Sequence, residues 1–89
     1  MEKKSIHMNE EFLFGMIRSI IVANFSVEEE DVTREASFGA DLEIYSLELV
    51  ETVMSIEDVF DIRISEKEIE ALITVKDLIE LVAKKKEGV

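Results

Sequence analysis

Few side chains in this sequence could take part in chemistry, and the most conspicuous is a hydroxyl. Ser46 stands where the loop Asp41-Leu42-Glu43-Ile44-Tyr45 meets Leu47-Glu48-Leu49-Val50-Glu51, the opening of an amphipathic helix expected from about Ser46 to Phe60. A serine at a helix start is ordinarily an N-cap. It is also reachable from solvent there, and the positive end of the helix dipole would stabilise a phosphodiester attached to it. The other candidates are weaker. A Ser-His-Asp arrangement would require His7, the only histidine, which falls in a short N-terminal extension. Paired carboxylates carry no information among 21 acids. The run Glu28 to Asp31 could hold a divalent cation only weakly and reads as a solvated cluster, and no D-x-D-x-D-G loop occurs. Without cysteine there is neither a disulfide nor a thiolate metal site. Neither catalysis nor a bound metal is expected.

The helix after Ser46 carries two apolar stripes. At 100° per residue, Leu49, Val53, Ile56 and Phe60 share one arc and make an ordinary core face. Leu47, Val50 and Met54 form another, bordered by Glu51, Glu57 and Asp58. A core does not need the second stripe. A surface that docks partners through apolar contact and sorts them by charge does.

The elements that would position this helix can be read from caps and spacing. Residues 1–8 form an extension. Asn9 caps a first helix, with Glu10 and Glu11 in its first turn and Leu13, Ile17, Ile20, Ile21 and Phe25 turned to the core. Gly15 within it suggests close packing against a neighbouring helix. Ser26-Val27-Glu28-Glu29 has the spacing of a capping box and predicts a short helical turn, while Val27, Val32, Phe38 and Leu42 pin the long connection. After an extended link over 61–64, Ser65-Glu66-Lys67-Glu68 opens a short helix bearing Ile69 and Leu72. Thr74-Val75-Lys76-Asp77 opens the last helix, with Val75, Leu78, Ile79 and Val82 inward, Lys84 to Lys86 in its last turn and Gly88 as its stop. The expected fold is all-α: a small four-helix bundle of three main helices and one short one, with a long first loop.

Eighty-nine residues make one domain. The net charge of −11 opposes nucleic acid and favours basic protein surfaces. The apolar stretch from Phe12 to Phe25 is broken by Arg18 and Asn24, so no membrane span or signal segment is expected, and a cytoplasmic monomer is the default.

From Val32 through Val82 the chain resembles an acyl carrier protein, the small acidic bundle that bears a 4′-phosphopantetheine arm on serine. The family pattern, Ala-Ser-Phe followed by Asp-Leu-Gly-Ala-Asp-Ser-Leu, reads here Ala36-Ser37-Phe38-Gly39-Ala40-Asp41-Leu42-Glu43-Ile44-Tyr45-Ser46-Leu47, without a gap. Val50-Glu51, Val53-Met54, Glu57-Asp58, Phe60-Asp61, Ile64 and Thr74-Val75 also fall in register. The resemblance implies an acyl carrier domain over 9–86 with a tail at 87–89, and an arm drawn from coenzyme A and attached to Ser46 by a phosphopantetheinyl transferase. It implies acyl groups held as thioesters on the arm, in fatty acid, lipid or related biosynthesis. It also implies docking of acyl-transferring and chain-extending enzymes with basic patches through Leu47, Glu48, Val50, Glu51, Met54, Glu57 and Asp58, and sheathing of the acyl chain by Leu49, Val53, Ile56 and Phe60. Tyr45 replaces the family's aspartate, and Glu43-Ile44 its Gly-Ala pair, which removes a charge and an N-cap and is expected to expose aromatic and aliphatic surface beside the serine. These departures point to a specialised member. The alternatives are a carrier of aminoacyl, D-alanyl or polyketide units, and an unmodified interaction module with the same fold.

Overall fold

Asn9 opens the first helix as its spacing predicts: its Oδ1 accepts the Glu11 N–H at 2.7 Å, with Glu10 and Glu11 in the first turn. The computed structural model describes residues 9–87 of the 89. These run as α1 (Glu10–Asn24), a 3-10 turn (Glu29–Asp31), α2 (Ser46–Phe60), α3 (Glu66–Glu70) and α4 (Val75–Glu87). This is the expected all-α bundle of three main helices and one short one. The expectations for residues 1–8, His7 and Gly88 lie outside the described residues, and α4 extends through Glu87.

Three helices fill the core from their predicted faces. Leu13, Ile17 and Ile21 of α1 meet Leu49, Val53, Ile56 and Phe60 of α2 and Val75, Leu78, Ile79 and Val82 of α4, all buried. Ile20 and Phe25 are only partly covered. Thr52 is buried on α2 because its hydroxyl donates to the Glu48 carbonyl at 2.9 Å, which satisfies the polar atom within the helix. α3 buries no residue fully and packs through Ile69, with Leu72 just beyond its end. It is held instead by polar contacts: the Ser65–Glu68 capping box (2.9 and 3.2 Å) and an ion pair between Glu68 and Lys85 at 2.9 Å.

Two local expectations are corrected. Gly15 does not mark close packing, since a Cβ built there meets nothing within 4 Å. Ser26 does not cap a turn. The 3-10 turn starts at Glu29, with Glu28 as a cap residue that makes no side-chain bond. Its register follows the buried Val32, whose N–H closes on the Glu29 carbonyl at 3.1 Å, and Arg18 of α1, which pairs with Glu29 at 3.3 Å.

The long first loop is fixed by main-chain bonds to the α3–α4 connection. Phe38 N–H donates to the Ile73 carbonyl (2.9 Å), Val75 N–H to Ala36 (3.0 Å) and Lys76 N–H to Arg34 (2.9 Å). With Phe38 and Leu42 buried, this clasp carries the chain to the start of α2 in a defined position. At its other end α2 stops at Asp61, in the left-handed region with φ 57°, and Lys86 Nζ donates to the Phe60 carbonyl at 2.9 Å.

Candidate functional site

The approach to Ser46 is a tight, bonded loop. Ser37 N–H donates to Asp41 Oδ2 (2.8 Å) while Asp41 N–H donates to Ser37 Oγ (3.1 Å). Ile44 N–H then donates to the Phe38 carbonyl at 2.7 Å. Between them Glu43 adopts φ 57°, the left-handed region in which a non-glycine residue is strained. The turn sends Leu42 and Ile44 inward. Ile44 is 2 % exposed, so it adds none of the expected aliphatic surface beside the serine. Burying that side chain anchors the loop, which is the physical reason for the difference. Tyr45 is 61 % exposed, as expected of the aromatic residue.

Ser46 is not the N-cap. Tyr45 holds that position, with extended backbone and no side-chain cap bond, and Ser46 is the first helical residue. The first turn is therefore polarised but uncapped: among the described residues no side chain accepts the N–H groups of Ser46, Leu47 and Glu48. Only half of a capping box is present, from Tyr45 N–H to Glu48 Oε1 at 3.3 Å. The Ser46 side chain is exposed, and its hydroxyl makes no hydrogen bond among the described residues.

Ser46 stands on the rim of a groove of about 770 Å³ between the loop, the start of α2, α3 and the α3–α4 connection. Phe38, Ile44, Leu49, Ile69 and Leu72 make its walls apolar, and among the described residues the only charged ones lining it are Glu66 and Glu70 of α3. Of the four proposed sheath residues, Leu49 alone lines the groove; Val53, Ile56 and Phe60 lie behind it in the core. Ile69 and Leu72, read from the sequence as apolar residues of the short helix, and Ile73 after it were not assigned to the sheath, because α3 and the link that follows are too short to show a periodic face. Two acids outside the lining, on α3 and at the start of α4, are held firmly. Glu68 lies below its ordinary pKa, first through the Ser65 N–H and then through Lys85. Asp77, which anchors the α3–α4 connection, is lowered chiefly by the Thr74 N–H against the opposing effect of burial.

Along α2 the second stripe is on the surface. Leu47 is 71 % and Met54 57 % exposed, while Val50 is half-covered and lines the groove. Glu48, Glu51 and Asp58 are exposed beside them, and Glu57 spends its carboxylate on the Ile64 N–H at 2.7 Å.

Residues 16–82 match the family model described as "Phosphopantetheine attachment site". The acyl carrier protein of Petrotoga mobilis is 40 % identical over 78 residues, which span 88 % of this chain and 92 % of that one. The chain belongs to the acyl carrier protein family. Solved structures agree. The Thermotoga maritima acyl carrier protein superposes with a TM-score of 0.81 at 34 % identity, covering 92 % of this chain and 95 % of the other. The Enterococcus faecalis acyl carrier protein gives 0.73 at 27 % identity, covering 88 % and 99 %. As an acyl carrier the protein has no turnover of its own; it bears covalent 4′-phosphopantetheine and interacts with a phosphopantetheinyl transferase and with biosynthetic enzymes. No helix among the described residues is long and apolar enough to cross a membrane.

Proposed function

We propose that Ser46 is the residue that carries the phosphopantetheine arm. The observation that supports it is the combination of an exposed, unbonded hydroxyl, three helix N–H groups without side-chain acceptors, and an adjoining apolar groove. A phosphodiester on Ser46 Oγ would sit at the positive end of α2 and find donors that Tyr45 leaves unused. In the modification step Ser46 Oγ forms a P–O bond to the phosphorus that bears the pantetheine. The pyrophosphate P–O bond of coenzyme A breaks, adenosine 3′,5′-bisphosphate leaves, and the serine proton passes to a base of the transferase. Once bound, the arm supplies a thiol on which acyl groups ride as thioesters.

The cargo this site fits best is an aliphatic acyl chain of fatty acid, lipid or related biosynthesis. Phe38, Ile44, Leu49, Ile69 and Leu72 offer such a chain an apolar lining next to Ser46, whereas Glu66 and Glu70 would repel a carboxylate-bearing group at the α3 edge. Val53, Ile56 and Phe60 would line it only if the core parted behind Leu49. Partner enzymes dock on Leu47, Val50 and Met54 within the acidic frame of Glu48, Glu51, Glu57 and Asp58, through basic patches drawn in by the net charge of −11. That charge favours a monomer by mutual repulsion, and the lack of cysteine fits the cytoplasm. Intact-mass measurement after incubation with coenzyme A and a transferase tests the assignment. The parent gains one phosphopantetheinyl group, which peptide mapping places on Ser46, and Ser46→Ala gains none while keeping its helical circular dichroism. A full gain by the alanine variant would place the arm elsewhere.

A further inference from the structure

The residues on either side of Ser46 are both apolar or aromatic and both strongly exposed, Tyr45 and Leu47. In a chain of net charge −11 this leaves the attachment point flanked by an uncharged patch. Glu48, the nearest acid on α2, turns its carboxylate to the Tyr45 N–H. The Tyr45 ring is not free in solvent. Its Cε1 lies 3.4 Å from where a Cβ on Gly39 would stand, so the ring rests across the loop at the groove rim, together with Ser46 and Ile73. Its hydroxyl makes no hydrogen bond among the described residues, and its side chain does not cap α2. The ring is thus an aromatic surface held in place without a folding role for its polar end. A preorganised aromatic side chain loses little freedom on docking, which is what makes such residues binding anchors.

Resting on the assignment of Ser46, we infer that Tyr45 is a specificity-determining residue for the modification step: the transferase that acts on this chain covers Tyr45 with an apolar recess. Contact between the two is forced by geometry. An enzyme that brings phosphorus within bonding distance of Ser46 Oγ must cover the adjoining residues, and here those are Tyr45 and Leu47. A transferase built to pair a cation with a carboxylate at this position finds none on Tyr45 and loses that ion pair. Charge therefore brings the enzyme in through the acidic frame of α2, and the aromatic contact selects it.

The test is apo-to-holo conversion by intact mass, with coenzyme A and the transferase that modifies the parent fastest. Tyr45→Ala should lose about tenfold in kcat/KM, mainly through KM, as expected for removal of an aromatic anchor. Tyr45→Asp should lose at least as much, and Tyr45→Phe, which keeps the ring, should rescue most of the parent value. The loss should persist as salt is raised, unlike a purely electrostatic contribution. Unfolding midpoints measured alongside separate this from a folding defect, because a structural role would not confine the change to KM. Tyr45→Ala and Tyr45→Asp within about twofold of a parent modified on Ser46 would overturn the inference and leave the attachment assignment standing. A parent modified at another residue, or at none, would overturn both.

Discussion

Asp77 offers the sharpest test of how the groove is held. Its Oδ2 accepts the N–H groups of Ile73 at 2.9 Å and Thr74 at 3.0 Å, and its own N–H donates to Thr74 Oγ1 at 3.2 Å. Asp77→Ala removes the acceptor of both donors. A buried unsatisfied N–H costs roughly 1–3 kcal/mol. Here Ile73 is exposed and Thr74 half-buried, so water recovers part of the loss, and about 2 kcal/mol in total is the reasonable value. For a domain of this size 1 kcal/mol moves the midpoint by roughly 4–8 °C, so the variant should melt about 10 °C below the parent. The same connection holds the first loop through Ile73 and Val75, so faster amide exchange should reach Phe38. The sign with pH follows from the lowered pKa of Asp77. A carboxyl depressed in the folded state contributes fully above its unfolded value of about 4, and that contribution is lost as pH falls through the lower folded value. Thermal circular dichroism should therefore show a gap between parent and variant that is constant from about pH 7 to about pH 5 and closes in stronger acid. A variant melting within about 2 °C of the parent near neutrality, or a gap undiminished in strong acid, would refute the reasoning.

Other perturbations separate folding from docking. Gly15→Ala should stabilise by roughly 0.5–1 kcal/mol, because the helix gains and the Cβ meets nothing within 4 Å; a lower midpoint would mean that α1 is packed otherwise. Glu51→Lys with Asp58→Lys should reduce kcat/KM for loading by about tenfold at low salt, less at high salt, with the midpoint nearly unchanged. Equal loading rates would make that rim solvated surface only. Lys86→Met should cost about 1 kcal/mol by removing the donor to the Phe60 carbonyl, 2.9 Å away and partly buried, and unchanged urea denaturation would show that this contact contributes nothing.

What could be read from the sequence was whatever depends on spacing along one helix. The caps at Asn9, Ser65 and Thr74, the buried faces of α1, α2 and α4, and the bounds Ser46–Phe60 all follow from i, i+3 and i+4 relations that a sequence displays directly. Features that depend on a second segment were hidden. Ile44 looked like a surface residue because nothing nearby says that Phe38 will accept its N–H. Gly15 looked like a contact, though no neighbouring element comes close. Leu49 belonged to a periodic core face, and only the placement of α3 makes it a groove wall while Val53 stays behind. Glu57 read as part of a charged rim, and only the structure shows that its carboxylate also secures Ile64 across the turn at Asp61.

The burial of Ile44 has a mechanical meaning. Two positions ahead of Ser46 the backbone is nailed to the interior, and Glu43 accepts a left-handed kink so that the nail can be driven. With the arm rooted on Ser46, a load hung there swings about a pivot that does not itself drift. All variation in reach then belongs to the limb, and each visiting enzyme has a single stationary mooring to find.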